Sequence, residues 1–128
     1  MTTPLVYSIE GNIGTGKSTF LEKLKYHYKD NDSICFLPEP TQVWDTIKDE
    51  NGITILEKYY ENQKRYAFSF QMMAFISRLT VLKDALNNDK YDIIIMERSL
   101  FTDCNVFAKM LYDDKKIEDI EYTIYKKW

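Results

Sequence analysis

The sequence predicts an α/β fold in which a parallel β-sheet is flanked by helices. Three short apolar runs of strand length alternate with longer segments of helical periodicity. Such alternation is typical of parallel strands that are joined by helices. The third run, YDIIIM (91–96), has four consecutive apolar residues, the pattern of a strand buried on both faces. The 128 residues are enough for one small domain with a core.

The first elements each have their own signal. PLVYSI (4–9) is a short apolar run that is predicted to be a buried strand. The segment 17–30 places apolar residues at helical spacing and charged residues on the other face. SICFLP (33–38) is the second predicted strand, and it ends at Pro38 and Pro40 because proline interrupts strand pairing. A short helix is expected within 41–50, around Trp44.

The second half of the chain is predicted to be mostly helical. A long helical pattern runs from Ile53 to about Leu86 without proline or glycine, with a possible break near Asn62-Gln63. Residues 100–113 and 117–128 also have helical patterns. Three strands are few for a parallel sheet, and the sequence stops inside an amphipathic stretch. We therefore expect an apparently truncated fold, with three strands visible.

The composition argues against several functional classes. The chain is 45% hydrophobic and 15% aromatic, as a folded chain is. Its 17 basic and 20 acidic residues give a net charge of −3 without a basic patch, which argues against nucleic acid or membrane as a partner. Cys35 and Cys104 have no metal-ligand spacing. No apolar run approaches membrane-spanning length, so we expect a cytoplasmic protein.

The segment GNIGTGKS (11–18) matches the phosphate-binding pattern G-x-x-x-x-G-K-[ST] between a predicted strand and a predicted helix, which indicates a P-loop NTPase-type sheet. Backbone N–H groups of such a loop and the helix N-terminus converge on phosphates. Lys17 would reach the β- and γ-phosphates of a nucleoside triphosphate, and the Ser18 hydroxyl would be a Mg²⁺ ligand. The predicted nucleotide-binding residues are Gly11, Asn12, Ile13, Gly14, Thr15, Gly16, Lys17, Ser18 and Thr19.

Charged residues follow the other two predicted strands. Glu39 comes after the second strand, and Glu97 and Arg98 come at the end of the third. Because functional groups gather beyond the carboxyl ends of parallel strands, these residues should face the same crevice as the loop. A carboxylate beside an arginine can take the proton of an acceptor hydroxyl. Glu39 and Arg98 fit those roles, and Glu97 would help to hold Mg²⁺.

The long helix carries a polar pair that could read a substrate. Gln71 and Arg78 are seven residues apart, so they differ by only about 20° around the helix, and Ala74 lies close to that line. The neighbouring apolar stripe consists of Phe68, Phe75, Leu79 and Leu86. A glutamine offers a donor and an acceptor together, which suits the edge of adenine or cytosine. A buried Arg78 would need a carboxylate, for which Asp103 is the candidate.

Four stretches, in this order and spacing, closely resemble the deoxynucleoside kinase family: EGNIGTGKST, EPTQVW, FSFQMMAFISR and ERSLFTD. The resemblance covers essentially the whole chain. It implies transfer of the γ-phosphate of ATP, with Mg²⁺, to the 5′-hydroxyl of a deoxynucleoside. It also implies a homodimer, with small molecules and not nucleic acid as the other partners.

The resemblance also implies roles for individual residues. Glu39 matches the general base, Arg98 the arginine beside it and Glu97 the acid next to the metal; with Lys17, Glu39 and Arg98 form the predicted catalytic set. An Arg–Asp pair at Arg78 and Asp103 marks members that prefer deoxycytidine or purine deoxynucleosides to thymidine. The predicted substrate-binding residues are Glu39, Trp44, Tyr60, Phe70, Gln71, Arg78, Arg98, Asp103 and Phe107.

Two alternatives to an active deoxynucleoside kinase stay open. In the resembled family a later arginine-rich lid closes over the phosphates, and the 128 residues do not contain it. The chain could therefore be a catalytically weak or inactive nucleotide-binding relative. It could also be a thymidylate-kinase-like enzyme, which would phosphorylate a nucleoside monophosphate. Comparing deoxynucleosides with their monophosphates as acceptors separates the two kinase hypotheses.

Overall fold

The computed structural model of the protein describes residues 3–11 and 14–127. These residues divide into two compact units. The first unit consists of the chain up to Glu39 together with Arg78–Ser99. The second unit consists of Pro40–Ser77 and the chain from Leu100 onward. None of the described helices combines the length and the apolar character that crossing a bilayer requires.

The first unit contains the predicted parallel sheet. Its three strands are β1 (Leu5–Ile9), β2 (Ile34–Leu37) and β3 (Ile93–Glu97), in the spatial order β1-β3-β2. β3 pairs in parallel with both neighbours. Helix α1 (Lys17–His27) follows β1. All three carboxyl ends therefore lie at one edge of the sheet, where Glu97 ends β3 and where Glu39 and the predicted phosphate loop follow β2 and β1.

The burial of the strands differs from the prediction at β1. Ile94 in the central strand β3 is fully buried, as its apolar run predicts. In contrast, Leu5 is 60% exposed and Tyr7 is 53% exposed, so the predicted burial of this strand is wrong for the described residues. The physical reason is that side chains of a strand point to the faces of the sheet, and the described elements leave the faces of β1 largely uncovered, whereas the other edge strand, β2, is half-buried. Apolar composition indicates that a strand can be buried but does not say which element covers it.

The predicted break in the long helical pattern is present. Helix α2 (Thr41–Trp44) is short, α3 (Ile55–Glu61) follows it, and α4 runs over Gln63–Leu86. Asn62 separates α3 from α4 with extended backbone, φ −144° and ψ 83°. Its side-chain oxygen accepts a hydrogen bond from the Arg65 N–H at 3.2 Å, which satisfies an N–H group that helix formation leaves without a partner.

The face of α4 that is most deeply buried is the polar line. Gln71, Ala74 and Arg78 are 3%, 4% and 2% exposed. The neighbouring stripe that was predicted to face the core is less buried, and Leu86 at its end is 39% exposed. A buried amide and a buried guanidinium are stable only when they are hydrogen-bonded, so Gln71 and Arg78 each need a partner inside the protein.

The last part of the chain is helical with one irregularity. Helix α5 (Leu100–Thr102) continues into a π-helical segment, Asp103–Ala108, and then into α6 (Lys109–Asp113); α7 (Asp119–Lys127) follows. Helical periodicity in the sequence does not distinguish the π-helical turns from α-helix. In the second unit, Ala67, Leu111 and Ile117 form a buried cluster that joins α4 to this region.

The turn after α6 gives a test of backbone strain. Lys115 has a φ of 59°, in the left-handed region that disfavours residues with a Cβ atom. We expect Lys115→Gly to raise the free energy of unfolding by about 1 kcal/mol, because glycine adopts this conformation without strain. Lys116→Gly is the matched control, because Lys116 has no positive φ and glycine there only adds unfolded-state entropy, which lowers stability. Urea unfolding of the three proteins measures the difference, and equal destabilisation by both glycines would contradict the expectation.

Candidate active site

The phosphate loop has the backbone that its sequence predicts. Gly14 and Gly16 have φ values of 83° and 88°, which residues with a Cβ atom rarely adopt. Gly16 is the residue before α1, so Lys17 and Ser18 are the first two residues of the helix. Their position puts them at the positive end of the helix dipole, which favours negatively charged groups. Of the other predicted loop residues, Gly11, Thr15 and Thr19 are exposed, and Asn12 and Ile13 lie outside the described residues.

Glu97 is the acidic centre of the site in the first unit. Its Oε1 atom accepts a hydrogen bond from the Ser18 hydroxyl at 2.6 Å and lies 3.8 Å from the Lys17 ammonium. Its Oε2 atom accepts from the Glu39 backbone N–H at 3.4 Å. The Glu97 and Lys17 side chains are 4% and 9% exposed, so solvent screens this ion pair weakly. The structure therefore joins the phosphate loop to the ends of β2 and β3 through one carboxylate.

Glu39 is held by two arginines. Its Oε1 atom accepts a hydrogen bond from Arg98 Nη1 at 2.8 Å and another from Arg78 Nη2 at 3.2 Å. The Arg98 contact is the pair that the sequence predicts. The Arg78 contact was missed, because helix periodicity places Arg78 in line with Gln71 but does not say which carboxylate it meets. The Glu39 side chain is 20% exposed, so its position is fixed by charge-assisted hydrogen bonds while it stays accessible to a small molecule.

Arg98 has an unusual backbone. Its φ is 60°, and its N–H donates to the Ile9 carbonyl at 3.0 Å. Successive side chains of a strand point to opposite faces, yet the side chains of both Glu97 and Arg98 reach Glu39. The left-handed conformation at Arg98 ends the strand alternation, which allows two neighbouring residues to act at one place. Backbone strain of this kind is concentrated at functional sites.

Ser18 and Glu97 offer the oxygen ligands that Mg²⁺ prefers. At Mg–O distances of about 2.0–2.1 Å, adjacent ligands of an octahedron are about 2.9 Å apart. Ser18 Oγ and Glu97 Oε1 are 2.6 Å apart, so the two atoms fit neighbouring ligand positions. Within residues 3–11 and 14–127, no group of three or more His, Cys, Asp or Glu could hold a metal ion. A Mg²⁺ ion here would take its other ligands from nucleotide phosphates and water.

The second unit contains an aromatic cluster, which consists of Trp44, Tyr59 and Phe70. The Phe70 ring stacks on Tyr59 with centroids 4.8 Å apart and meets Trp44 edge-to-face at 5.5 Å. Burial raises the pKa of Tyr59, and the nearby Tyr60 adds to the shift. The predicted residue Tyr60 is 65% exposed. Sequence reasoning missed Tyr59, because two adjacent tyrosines in a helical pattern give no signal that distinguishes them.

The other predicted base-binding residues of the second unit lie in α4 and in the π-helical segment. Gln71 Nε2 donates to the backbone carbonyl of Asp103 at 3.3 Å in a buried position. Asp103 is 3% exposed, and Phe107 is half-buried one turn later. The predicted pairing of Arg78 with Asp103 joins residues of different units and stays a prediction.

Comparison with known proteins agrees with these motifs. The family model of deoxynucleoside kinases matches residues 7–128. The chain belongs to the deoxynucleoside kinase family. The predicted resemblance is therefore confirmed, together with the parallel α/β fold class.

Individual deoxynucleoside kinases show how far the likeness extends. Deoxycytidine kinase of Homo sapiens is 34% identical over an alignment that covers 94% of this chain and 52% of the relative. A probable deoxycytidine kinase of fowlpox virus is 38% identical over 94% of this chain and 46% of the relative. Mitochondrial deoxyguanosine kinase of Xenopus laevis is 30% identical over 94% of this chain and 50% of the relative. The chain thus spans about half the length of the curated deoxynucleoside kinases that it matches.

Proposed function

We propose that the protein is an ATP-dependent deoxynucleoside kinase, which transfers the γ-phosphate of ATP to the 5′-hydroxyl of a deoxynucleoside. The observation that carries the proposal is the double hydrogen bond from Arg78 and Arg98 to Glu39. Through Glu97, the Glu39 backbone is also linked to Ser18 in the phosphate loop. A positioned carboxylate beside a phosphate loop is what transfer to a hydroxyl acceptor requires.

The residues of the first unit would divide the reaction between them. Loop N–H groups and Lys17 bind the phosphates, while Glu39 accepts the proton of the 5′-hydroxyl. The bond from the 5′-oxygen to the γ-phosphorus then forms, and the bond from that phosphorus to the oxygen that bridges it to the β-phosphate breaks. Arg98 orients Glu39 and stabilises the negative charge that develops. Mg²⁺, held by Ser18 and Glu97, would neutralise phosphate charge.

The second unit supports a preference for deoxycytidine or deoxyadenosine over thymidine. Because Gln71 Nε2 donates to the Asp103 carbonyl, the Oε1 atom is available as an acceptor. Cytosine and adenine carry an amino group that can donate to this atom, whereas thymine has none. Family resemblance, through the predicted Arg78–Asp103 pair, adds deoxyguanosine to the proposed substrates. Homodimer formation, cytoplasmic location and the assignment of 1–128 to one kinase-like domain also stay predictions.

A panel of acceptors tests the proposed function. The purified chain is incubated with Mg-ATP and each of the four deoxynucleosides, with deoxycytidine and thymidine monophosphates alongside, and products are separated by chromatography. We expect the rates with deoxycytidine or the purine deoxynucleosides to exceed the thymidine rate by about tenfold or more, because thymine has a carbonyl oxygen where cytosine and adenine have the amino group that would donate to Gln71 Oε1.

Variants of two lysines in α1 serve as controls for this assay. Lys17→Ala removes the phosphate-binding ammonium and should abolish product formation, whereas Lys23→Ala changes an exposed lysine of the same helix and should not. Failure to phosphorylate any deoxynucleoside would show that the chain is not an active kinase. Product from the monophosphates alone would favour the thymidylate-kinase-like alternative.

A further inference from the structure

Trp44 is fixed by a hydrogen bond that the proposed mechanism does not use. The indole is buried, with only 6% of the residue exposed, and its Nε1–H donates to the Ser77 hydroxyl oxygen at 2.8 Å. The Ser77 hydroxyl in turn donates to the Ala74 carbonyl at 3.2 Å. Because a hydroxyl has one proton, this second bond leaves Ser77 as an acceptor toward the indole. The relay has a fixed direction from Trp44 through Ser77 to the α4 backbone.

The ring of Trp44 is also held at a second point. Phe70 meets it edge-to-face at an interplanar angle of 72°. Phe70 and Ser77 are seven residues apart on α4, so they lie within about 20° of one line along the helix. A planar ring that is held through its nitrogen and against an aromatic ring keeps one orientation. Gln71 follows Phe70 directly, so the same helix that holds the indole carries the predicted base-reading amide.

We propose that Ser77 is a positioning residue for substrate binding, which fixes the plane of Trp44 so that its indole forms a preorganised apolar wall for a deoxynucleoside. The inference rests on the proposed function and adds a residue that sequence reasoning did not select. Without the hydroxyl, a buried N–H group loses its acceptor and the indole samples other orientations. The apparent affinity then falls in proportion to the fraction of molecules that keep the competent orientation.

A double-mutant cycle separates this role from general stabilisation. Ser77→Ala, Trp44→Phe and the double variant are compared with the unaltered chain by calorimetric titration with deoxycytidine and deoxyadenosine. We expect Ser77→Ala to weaken binding about 5–20-fold. In the Trp44→Phe background the same change should have almost no effect, because phenylalanine has no N–H group that needs an acceptor. Ser77→Thr retains the hydroxyl and should restore affinity, and Ser69→Ala is the exposed-serine control on the same helix.

Fluorescence gives a readout that a merely structural role would not move. In a Trp128→Phe background, Trp44 is the single tryptophan, so its emission reports the indole directly. Ser77→Ala should shift the emission maximum and reduce the change that deoxynucleoside addition causes. Where turnover is measurable, KM for the deoxynucleoside should rise while kcat changes little. If Ser77→Ala does not fold, Ser77→Cys replaces it in the cycle, because a thiol is a weaker acceptor.

The outcomes distinguish the two levels of the proposal. Unchanged affinity in Ser77→Ala, or an equal loss in the Trp44→Phe background, would overturn the role of Ser77 while the proposed function stands. If the unaltered chain binds no deoxynucleoside in the same titration, the proposed function fails and the inference fails with it.

Discussion

Replacing Glu39 with glutamine is expected to lower kcat for phosphoryl transfer by about 10²–10⁴-fold, the range that a general base contributes. Glutamine has nearly the same shape and keeps an oxygen that can accept from Arg98 and Arg78. It cannot take the proton of the 5′-hydroxyl. The affinity for ATP should change little, because the Glu39 side chain contacts the two guanidinium groups and not the phosphate loop.

Initial rates with saturating Mg-ATP and the best deoxynucleoside measure this effect. Glu50→Gln removes a carboxylate from an exposed turn of the chain and serves as the matched control. Circular dichroism establishes that both variants are folded. A Glu39→Gln protein that retains more than about a tenth of the rate would show that proton transfer to Glu39 is not part of the reaction.

Glu97→Gln is expected to change nucleotide binding in opposite directions with and without metal. In the absence of Mg²⁺, Glu97 competes with the phosphates for Lys17, from which it is 3.8 Å away. Removal of its charge should therefore tighten binding of metal-free ATP by about 5–10-fold. With Mg²⁺ present, the same change removes a proposed metal ligand and should weaken binding of Mg-ATP by about 10–100-fold.

Two titrations test the second expectation. The affinity for ATP is measured in EDTA and in excess Mg²⁺ for the unaltered chain and for Glu97→Gln. Asp92→Asn is the matched control, because it removes a negative charge from the other end of the strand and should leave both affinities unchanged. If Glu97→Gln changes the ATP affinity in the same direction in EDTA and in excess Mg²⁺, Glu97 does not both bind the metal and hold Lys17.

Local sequence patterns predicted the elements of the fold better than their surroundings. An apolar run predicted the strand at 91–96, which is observed as Ile93–Glu97. Polar residues at the helix boundary predicted the break near Asn62, and both signals act over a few residues. The exposure of β1 could not be predicted, because it depends on which distant segments cover the faces of the sheet. The π-helical turns were also missed, because a segment of six residues is too short to give the sequence a periodicity of its own.

The candidate site was predictable where one motif fixes the geometry. Ser18, Lys17 and Glu97 were placed correctly relative to one another, because a phosphate loop and a strand end both have a defined position in a parallel sheet. The contact between Arg78 and Glu39 was not predicted, because α4 and the end of β2 are far apart in the sequence. A long flexible side chain can reach several carboxylates, and only the fold selects one.

Arg98 brings stability and chemistry into opposition at a single position. A glycine would relax the backbone there, but it would have no guanidinium to donate to Glu39. The strained backbone therefore accompanies a side-chain contact that glycine cannot make. One residue thus combines a left-handed backbone with the guanidinium that fixes the Glu39 carboxylate.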